Sequence, residues 1–241
     1  MTLLEKSPVL REMVESRGAV DPAGVRHEVD ASAIHLRCAE ALYQTVLHRR
    51  PRLAVEIGMA FGWSTLAILT ALREIGEEGQ LVSIDPWQRS SYHNCGIAAV
   101  GRAGLAPRHR LIERPDYLAL PEMAQAKTEI DFGYIDGCHT FDYVLLDFWY
   151  FDRLLRVGGL IGFNDCDWPA VHKVLKFVLT HRRYTEVDVG LAPRYVDYSR
   201  RRELVRRLRR VPSGLYYRNA SDRYITKQET WEPRWDFFAE F

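Results

Sequence analysis

An acidic residue and two glycines stand close together in the segment 53–65. A β-branched apolar run leads into Glu56, Gly58 and Gly62 follow, and a helix-compatible segment begins at Ser64. A strand, a glycine turn and a helix in this order bring the carboxyl end of a strand and the amino end of a helix to one crevice. Backbone N–H groups there favour an anionic or polar ligand. The segment therefore predicts a ligand-binding turn, although an ordinary strand-to-helix turn has the same short pattern.

Further polar side chains follow three later apolar runs. Asp85 comes after the run 81–84, Asp136 after the run 129–135, and Asn164 and Asp165 after a third run. Ligands of open α/β sheets bind outside the carboxyl ends of the strands, so we expect these side chains to converge at one edge of a sheet. Helix caps or turns are the structural alternative for the three aspartates.

The elements that position these residues alternate between strands and helices. This alternation predicts an α/β fold: a Rossmann-like, doubly wound, mostly parallel seven-stranded sheet with helices on both faces and an antiparallel last strand. We expect an N-terminal helical segment at 1–50, a core domain at 51–228 and an aromatic tail at 229–241. The predicted strands are 53–57, 81–84, 110–113, 129–135, 160–163, 184–189 and 223–226; the predicted helices are 2–17, 32–47, 64–73, 96–103, 141–155 and 171–179, with a loop at 18–24 and another at Asp116.

Composition narrows the class of partner. The chain has 241 residues, a formal net charge of +1 and 47% hydrophobic residues, which favours one domain with a small-molecule ligand over a nucleic-acid or membrane partner. Four cysteines without CxxC spacing, and the absence of an amino-terminal apolar region, predict a cytoplasmic protein. The seven arginines of 200–210 predict a solvated helix, with an acidic-partner patch as the alternative. We expect the aromatic tail to pack on the domain, on a second subunit of a homodimer, or over the substrate.

The cofactor motifs resemble those of a known family. Glu56-x-Gly58-x-x-x-Gly62, with Asp85 closing the next strand, resembles the class I S-adenosylmethionine-dependent methyltransferases. From Leu53 to about Thr180, the order of motifs is similar to that of the small-molecule O-methyltransferases.

Two later segments resemble particular branches of these enzymes. The segment 158–165 resembles a strand of the metal-dependent catechol and caffeoyl-coenzyme A enzymes. Asp136-Gly137-x-His139 resembles the DGxH turn of bacterial methyltransferases that act on sugars and macrolides.

The resemblance implies a set of S-adenosylmethionine contacts. The glycine loop would lie against the methionine moiety, whose carboxylate Ser64 would hold, and Glu56 would order the loop or face the methionine amine. Asp85 would bind the ribose hydroxyls, Asp116 would contact the adenine, and Trp87 would stack near the adenine or simply pack. The implied cofactor residues are Glu56, Gly58, Met59, Gly62, Ser64, Asp85, Trp87, Asp116 and Asp136.

The resemblance also implies the chemistry, which is methyl transfer to a hydroxyl of a small molecule. A divalent cation such as Mg²⁺ would be held by Asp136, Asn164 and Asp165, with Asp167 as a possible substitute. His139 would act as the general base beside Asp136.

Three alternatives remain at this point. A methyltransferase without a metal would have His139 as its only base, and a non-catalytic partner-binding protein could retain the fold. Cys138 and Cys166, with His139 and Asp167, could also form a zinc site, but they lack the short paired spacing of structural zinc sites.

Overall fold

A seven-stranded sheet lies at the centre of the computed structural model, which describes residues 1–30, 32–76, 78–191, 204–205, 207–209 and 222–241. A separate two-stranded hairpin precedes it. The hairpin strands are β1 (Gly18–Val20) and β2 (Arg26–Glu28), and the sheet strands are β3 (Leu53–Ile57), β4 (Gln80–Ile84), β5 (His109–Ile112), β6 (Ile130–Ile135), β7 (Leu155–Phe163), β8 (Tyr184–Val187) and β9 (Arg223–Lys227).

The sheet order brings the functional strand ends together. The order is β5-β4-β3-β6-β7-β9-β8, with the first five strands parallel and β9 antiparallel to both neighbours. Ile57 pairs with Ile84 and with Ile135, and Ile135 pairs with Phe163. Because the four central strands end in register, the residues that follow them lie side by side. The predicted seven-stranded sheet with an antiparallel last strand is confirmed.

Helices cover both faces of the sheet, as predicted. Alternate strand residues point to opposite faces, so Ala54 packs in the core cluster with the N-terminal helices while Val55 packs in the cluster with the later ones. The helices are α1 (Leu3–Lys6), α2 (Pro8–Ser16), α3 (Leu36–Arg49), α4 (Trp63–Ile75) and α5 (Cys95–Arg102) around the first cluster, and α6 (Asp116–Gln125), α7 (Phe141–Leu154) and α8 (Pro169–His181) around the second.

The N-terminal region differs from its prediction in two ways. The single helix expected at 2–17 is two helices, because the chain breaks at Ser7 and Pro8 starts the second helix, where proline needs no amide hydrogen. The predicted loop at 18–24 contains β1, which pairs with β2. A turn at Asp21 connects the two strands, and Asp21 Oδ1 accepts hydrogen bonds from the N–H groups of Ala23 and Val25. Strands of three residues are too short to show an alternating pattern.

Two predictions in the core also need correction. Asp116 was expected on a loop, but it is the first residue of α6, a helix that the sequence pattern did not indicate; Pro121 stands inside it. The fifth predicted strand begins at Leu155 rather than at Leu160, directly after α7.

The aromatic tail packs along α8. The Ala239 N–H donates to His181 Nε2 (3.1 Å), and the rings of Phe177 and Phe241 lie 5.3 Å apart. Trp235, by contrast, is 94% exposed. The arginine-rich segment 200–210 lies mostly outside the described residues. In the described part of the chain, every helix is too short or too polar to cross a membrane.

Candidate functional site

The turn after β3 needs glycine at its first position. Gly58 has φ +87°, and a Cβ there would lie 2.1 Å from the carbonyl oxygen of Asp136. Gly62 has φ +89° and caps the amino end of α4, where a Cβ would lie 3.1 Å from Gly96 Cα. Both positions have the left-handed conformation that side chains disfavour. Gly58 therefore lets the turn after β3 approach the end of β6, and Gly62 lets the start of α4 approach α5.

Asp85 holds this turn in place. Its Oδ2 accepts hydrogen bonds from the N–H groups of Met59 (3.0 Å) and Ala60 (2.8 Å). Its Oδ1 accepts one from the N–H of Trp87 (2.7 Å). Gln88, which sequence reasoning missed, donates from Nε2 both to Asp85 Oδ2 (3.0 Å) and to the Ala60 carbonyl (2.7 Å). Asp85 thus joins the end of β4 to the glycine loop, in addition to any role toward a ligand.

Glu56 lies fully buried beneath the loop. Its Oε1 accepts the hydroxyls of Thr65 and Ser83, each at 2.5 Å, and within the described residues its Oε2 has no hydrogen-bond partner. Burial raises the pKa of Glu56 to about 7, although the hydroxyls of Ser83, Thr65 and Ser64 oppose the shift. A buried oxygen in this state can accept a hydrogen bond from a cationic ligand group.

Ser64 lines a small pocket at the amino end of α4. The segment 32–34 also lines the pocket, and sequence reasoning missed it because those residues carry no distinctive chemistry. In the described structure, the indole nitrogen of Trp63, another lining residue, is buried without a hydrogen-bond partner. The lining residues are Ser32, Ala33, Ile34, Met59, Ala60, Phe61, Trp63, Ser64 and Asp136.

Asp116 and Trp87, the residues predicted to contact the adenine, differ in their exposure. Asp116 is 7% exposed and its Oδ1 accepts the N–H of Tyr117 (2.7 Å), whereas Trp87 is 59% exposed and so is not a core residue. Asp147 of α7 is fully buried, and its oxygens lack hydrogen-bond partners among the described residues. Burial, and then the neighbouring Asp116 carboxylate, raise the pKa of Asp147 well above its ordinary value. Asp147 was not predicted, because it lies within an amphipathic helix whose pattern does not set this acidic residue apart from the others.

Asp136, His139 and Asp165 converge beyond β6 and β7. His139 Nε2 lies 3.7 Å from Asp136 Oδ1 and 3.6 Å from Asp165 Oδ2. This nitrogen is buried and, within the described residues, makes no hydrogen bond. The Trp168 ring lies 5.1 Å from the imidazole. The structure therefore brings together the predicted base and two of the three predicted metal ligands.

Asn164, the third predicted ligand, lies at the end of β7 in a buried polar network. Its Nδ2 donates to Asp222 Oδ1 (2.9 Å) and lies 3.4 Å from the hydroxyl of Tyr134, which donates to Asp222 Oδ2 (2.7 Å). Burial raises the pKa of Asp222 to about 6. Sequence reasoning missed Asp222 because it stands alone before the last strand, 58 residues after Asn164.

Electrostatics at this cluster favour the uncharged forms. Burial raises the pKa of Asp136 well above its ordinary value, and the Asp165 and Asp222 carboxylates raise it further. Burial lowers the pKa of His139, opposed by the Asp165 carboxylate and by a hydrogen bond to the Asn164 side chain. A neutral imidazole can accept a proton, and the Asp165 carboxylate can stabilise the resulting cation.

The metal predictions are not established by the geometry. In the part of the chain that the structure describes, no three His, Cys, Asp or Glu side chains are grouped as a metal site. For the zinc alternative, Cys138 is exposed while Cys166 is buried, with its Sγ donating to the Phe163 carbonyl at 3.3 Å.

Comparisons with known proteins agree with this arrangement. A family model described as a methyltransferase domain matches residues 55–166. A comparison with curated proteins found no match. Among solved structures, an O-methyltransferase from Bacillus cereus in complex with SAH is 16% identical, with 92% of each chain covered and a TM-score of 0.65.

Two further structures share the fold. A putative O-methyltransferase from Klebsiella pneumoniae is 18% identical, with 92% of this chain and 90% of that chain covered and a TM-score of 0.64. The O-methyltransferase TomG from Streptomyces achromogenes, involved in tomaymycin synthesis and solved with SAM, is 18% identical over 77% of this chain and 80% of that chain, with a TM-score of 0.57. The predicted resemblance to the class I S-adenosylmethionine-dependent methyltransferases, and with it the Rossmann-like fold, is confirmed.

Proposed function

We propose that the protein transfers the methyl group of S-adenosylmethionine to a hydroxyl group of a small molecule, assisted by a divalent cation. The observation that carries this proposal is the position of His139 Nε2, less than 4 Å from both Asp136 and Asp165. Asp136 also lines the pocket beside the glycine loop. A base and a carboxylate pair therefore lie next to the proposed cofactor site. We further propose that the protein is cytoplasmic, forms a homodimer and has neither a nucleic-acid nor a membrane partner.

The cofactor would lie along the edge from α4 to α6. Glu56 Oε2 would accept a hydrogen bond from the ammonium group of the methionine moiety. Ser64 would bind the carboxylate of that moiety near the positive end of α4. Gly58, Met59 and Gly62 would provide the backbone surface under the methionine moiety. Asp85 would bind the ribose, with Asp116 and Trp87 at the adenine.

The residues at the second site would prepare the acceptor. His139 would take the proton of the acceptor hydroxyl at Nε2, and Asp165 and Asp136 would stabilise the imidazolium. Asp136, Asp165 and the carbonyl oxygen of Asn164 would hold the cation, since hard oxygen ligands suit Mg²⁺. Burial and then repulsion from the Asp165 carboxylate raise the pKa of Asp136, and a bound cation would relieve that repulsion, which supports such a role. When bound, a cation of this kind lowers the pKa of a coordinated hydroxyl and orients it.

A methyltransferase without a metal is the second candidate. The contacts of His139 Nε2 with two carboxylates favour it, because those carboxylates can stabilise the imidazolium without a cation. The two candidates differ in the expected effect of a chelator.

The test is a methyl-transfer assay with labelled S-adenosylmethionine and a panel of phenols, sugars and other hydroxylated small molecules. We expect His139→Ala to reduce kcat by ~10²–10⁴-fold, the usual contribution of a general base. Asp136→Ala and chelator should each abolish the metal-stimulated rate. Cys138→Ser, which changes an exposed neighbour, should retain activity.

Each other outcome selects an alternative. Full activity in chelator, with loss of activity in His139→Ala, would remove the metal from the mechanism. If calorimetry detects no binding of S-adenosylmethionine, the protein is a non-catalytic member of the fold and the proposal is wrong.

A further inference from the structure

Three polar side chains form a line across the sheet, from beneath the glycine loop to the edge strand. Glu56 on β3 pairs in register with Ser83 on β4, and His109 on β5 pairs with Leu81, two residues before Ser83. Because the side chains of a strand alternate between faces, all three lie on one face of the sheet. β5 is the edge strand, so the line runs from the fully buried Glu56 to a half-buried histidine.

Hydrogen bonds join the members of this line. Ser83 Oγ lies 2.5 Å from Glu56 Oε1 and 2.7 Å from His109 Nε2, and Ser83 itself is fully buried. A hydroxyl has a single hydrogen, so it can donate to only one of these two neighbours. The other neighbour must therefore donate to Ser83.

The ionisation of Glu56 sets the direction of both bonds. An ionised carboxylate only accepts hydrogen bonds, so Ser83 must donate to it, and His109 must then donate to Ser83 from Nε2. Burial lowers the pKa of His109 to about 4, so at neutral pH its ring is uncharged and carries one hydrogen. The bond to Ser83 requires that hydrogen on Nε2 rather than on Nδ1.

The result is an uneven distribution of donors over the two oxygens of Glu56. Oε1 accepts the hydrogens of Ser83 and Thr65, whereas among the described residues Oε2 has no hydrogen-bond partner. Two donors on one oxygen fix the rotation of the carboxylate and leave the other oxygen to a ligand.

We infer that His109 is a positioning residue for the cofactor site, because its Nε2–H donates to Ser83 and so directs the Ser83 hydrogen to Glu56 Oε1. The contact of Oε2 with the methionine ammonium rests on the function proposed above. Without the histidine, the Ser83 hydroxyl can rotate away from Glu56. His109 therefore acts on the cofactor only through Ser83 and Glu56.

The first test locates the hydrogen on the imidazole ring. Nitrogen-15 NMR distinguishes a protonated ring nitrogen from an unprotonated one, and the His109 signals are those missing from His109→Gln. At pH 8.5, above the Glu56 pKa of about 7, we expect the hydrogen on Nε2. A hydrogen on Nδ1 would overturn the inference, because Nε2 could then only accept.

The second test is a double-mutant cycle read out by calorimetric titration with S-adenosylhomocysteine at pH 8.5. His109→Leu should weaken binding roughly 3- to 10-fold, the usual effect of losing one neutral hydrogen bond. Ser83→Ala should also weaken binding, and adding His109→Leu to it should change the affinity by less than about twofold. A histidine that merely supports the fold would weaken binding equally in both backgrounds, which would refute the role.

Two variants serve as controls. His109→Gln retains an N–H donor on its side-chain amide and should bind within about twofold of the wild type. His172→Leu makes the same change as His109→Leu at a half-buried histidine of α8 and should also bind like the wild type. Wild-type affinity in His109→Leu would contradict the inference.

The remaining outcomes are also decisive. If His109→Leu does not fold, the NMR spectrum of the wild type gives the decision. If the wild type does not bind S-adenosylhomocysteine, the proposed function is wrong, while the spectrum still decides whether His109 donates to Ser83.

Discussion

The buried carboxyl group of Glu56 should lower the stability of the folded protein as the pH rises. Its pKa is raised by burial from 4.5 to about 7. Between these values the unfolded chain releases the proton while the folded chain retains it, so the free energy of unfolding falls as the pH rises from 4.5 to 7. At 1.36 kcal/mol per pH unit, the full loss is about 3 kcal/mol.

Glu56→Gln should remove this pH dependence. Glutamine has the same shape, and its carbonyl oxygen can still accept the hydroxyls of Thr65 and Ser83. The free energy of unfolding should be measured in urea at pH 5.0 and pH 8.5. The difference between Glu56→Gln and the wild type should shift by about 2–3 kcal/mol in favour of the variant from the lower to the higher pH. Glu129→Gln, at an exposed position, is the control and should follow the wild type at both pH values.

The same variant should lose cofactor affinity while it gains stability. A hydrogen bond to a charged group contributes about 1.5–3 kcal/mol, so the dissociation constant of S-adenosylhomocysteine should rise roughly 10- to 100-fold. Calorimetry at pH 8.5 measures this change. Parallel stability curves for the wild type and Glu56→Gln would refute the raised pKa, and unchanged affinity would refute the contact with the methionine ammonium.

Two further predictions concern the loop. Gly58→Ala should destabilise the protein by roughly 2–5 kcal/mol in urea unfolding, because strain at positive φ adds to a clash with the Asp136 carbonyl. Gly76→Ala, also at positive φ but with no described atom within 4 Å of the new Cβ, should cost only about 1–2 kcal/mol; equal losses would contradict the clash. Asp85→Asn should weaken S-adenosylhomocysteine binding at least ~10-fold in calorimetry, since one oxygen cannot replace two charged acceptors. Asp188→Asn, in an exposed turn, should bind like the wild type, and intact binding by Asp85→Asn would show that the loop does not depend on that carboxylate.

The sequence predicts the cofactor side of the site better than the rest, because that side is nearly contiguous. Glu56, the two glycines and the start of α4 lie within one strand, turn and helix, so local pattern alone indicates their arrangement. The convergence of Asp136 and Asp165 also follows from strand order, since parallel strands share an edge.

The remaining site residues depend on contacts between distant parts of the chain. Gln88 and Asp222 are ordinary polar residues whose partners become visible only when the strands pair. Asp147 lies in the amphipathic helix α7. Its neighbour Asp116 belongs to a different helix, α6, which the sequence pattern did not indicate. The segment 32–34 lines the pocket although its residue types do not indicate a ligand site. No spacing rule in a single sequence encodes such relations.

The two carboxylate oxygens of Asp85 have different hydrogen-bond partners at the proposed cofactor site. Oδ2 accepts hydrogen bonds from Met59, Ala60 and Gln88, so its capacity is used by the loop itself. Oδ1 accepts the Trp87 N–H, and a carboxylate oxygen has room for a second donor. The proposed ribose contact therefore falls to Oδ1, with no need to break the bonds that shape the turn. Because these bonds set the loop conformation in the cofactor-free protein, binding at the proposed site would require little ordering of the chain, which favours affinity.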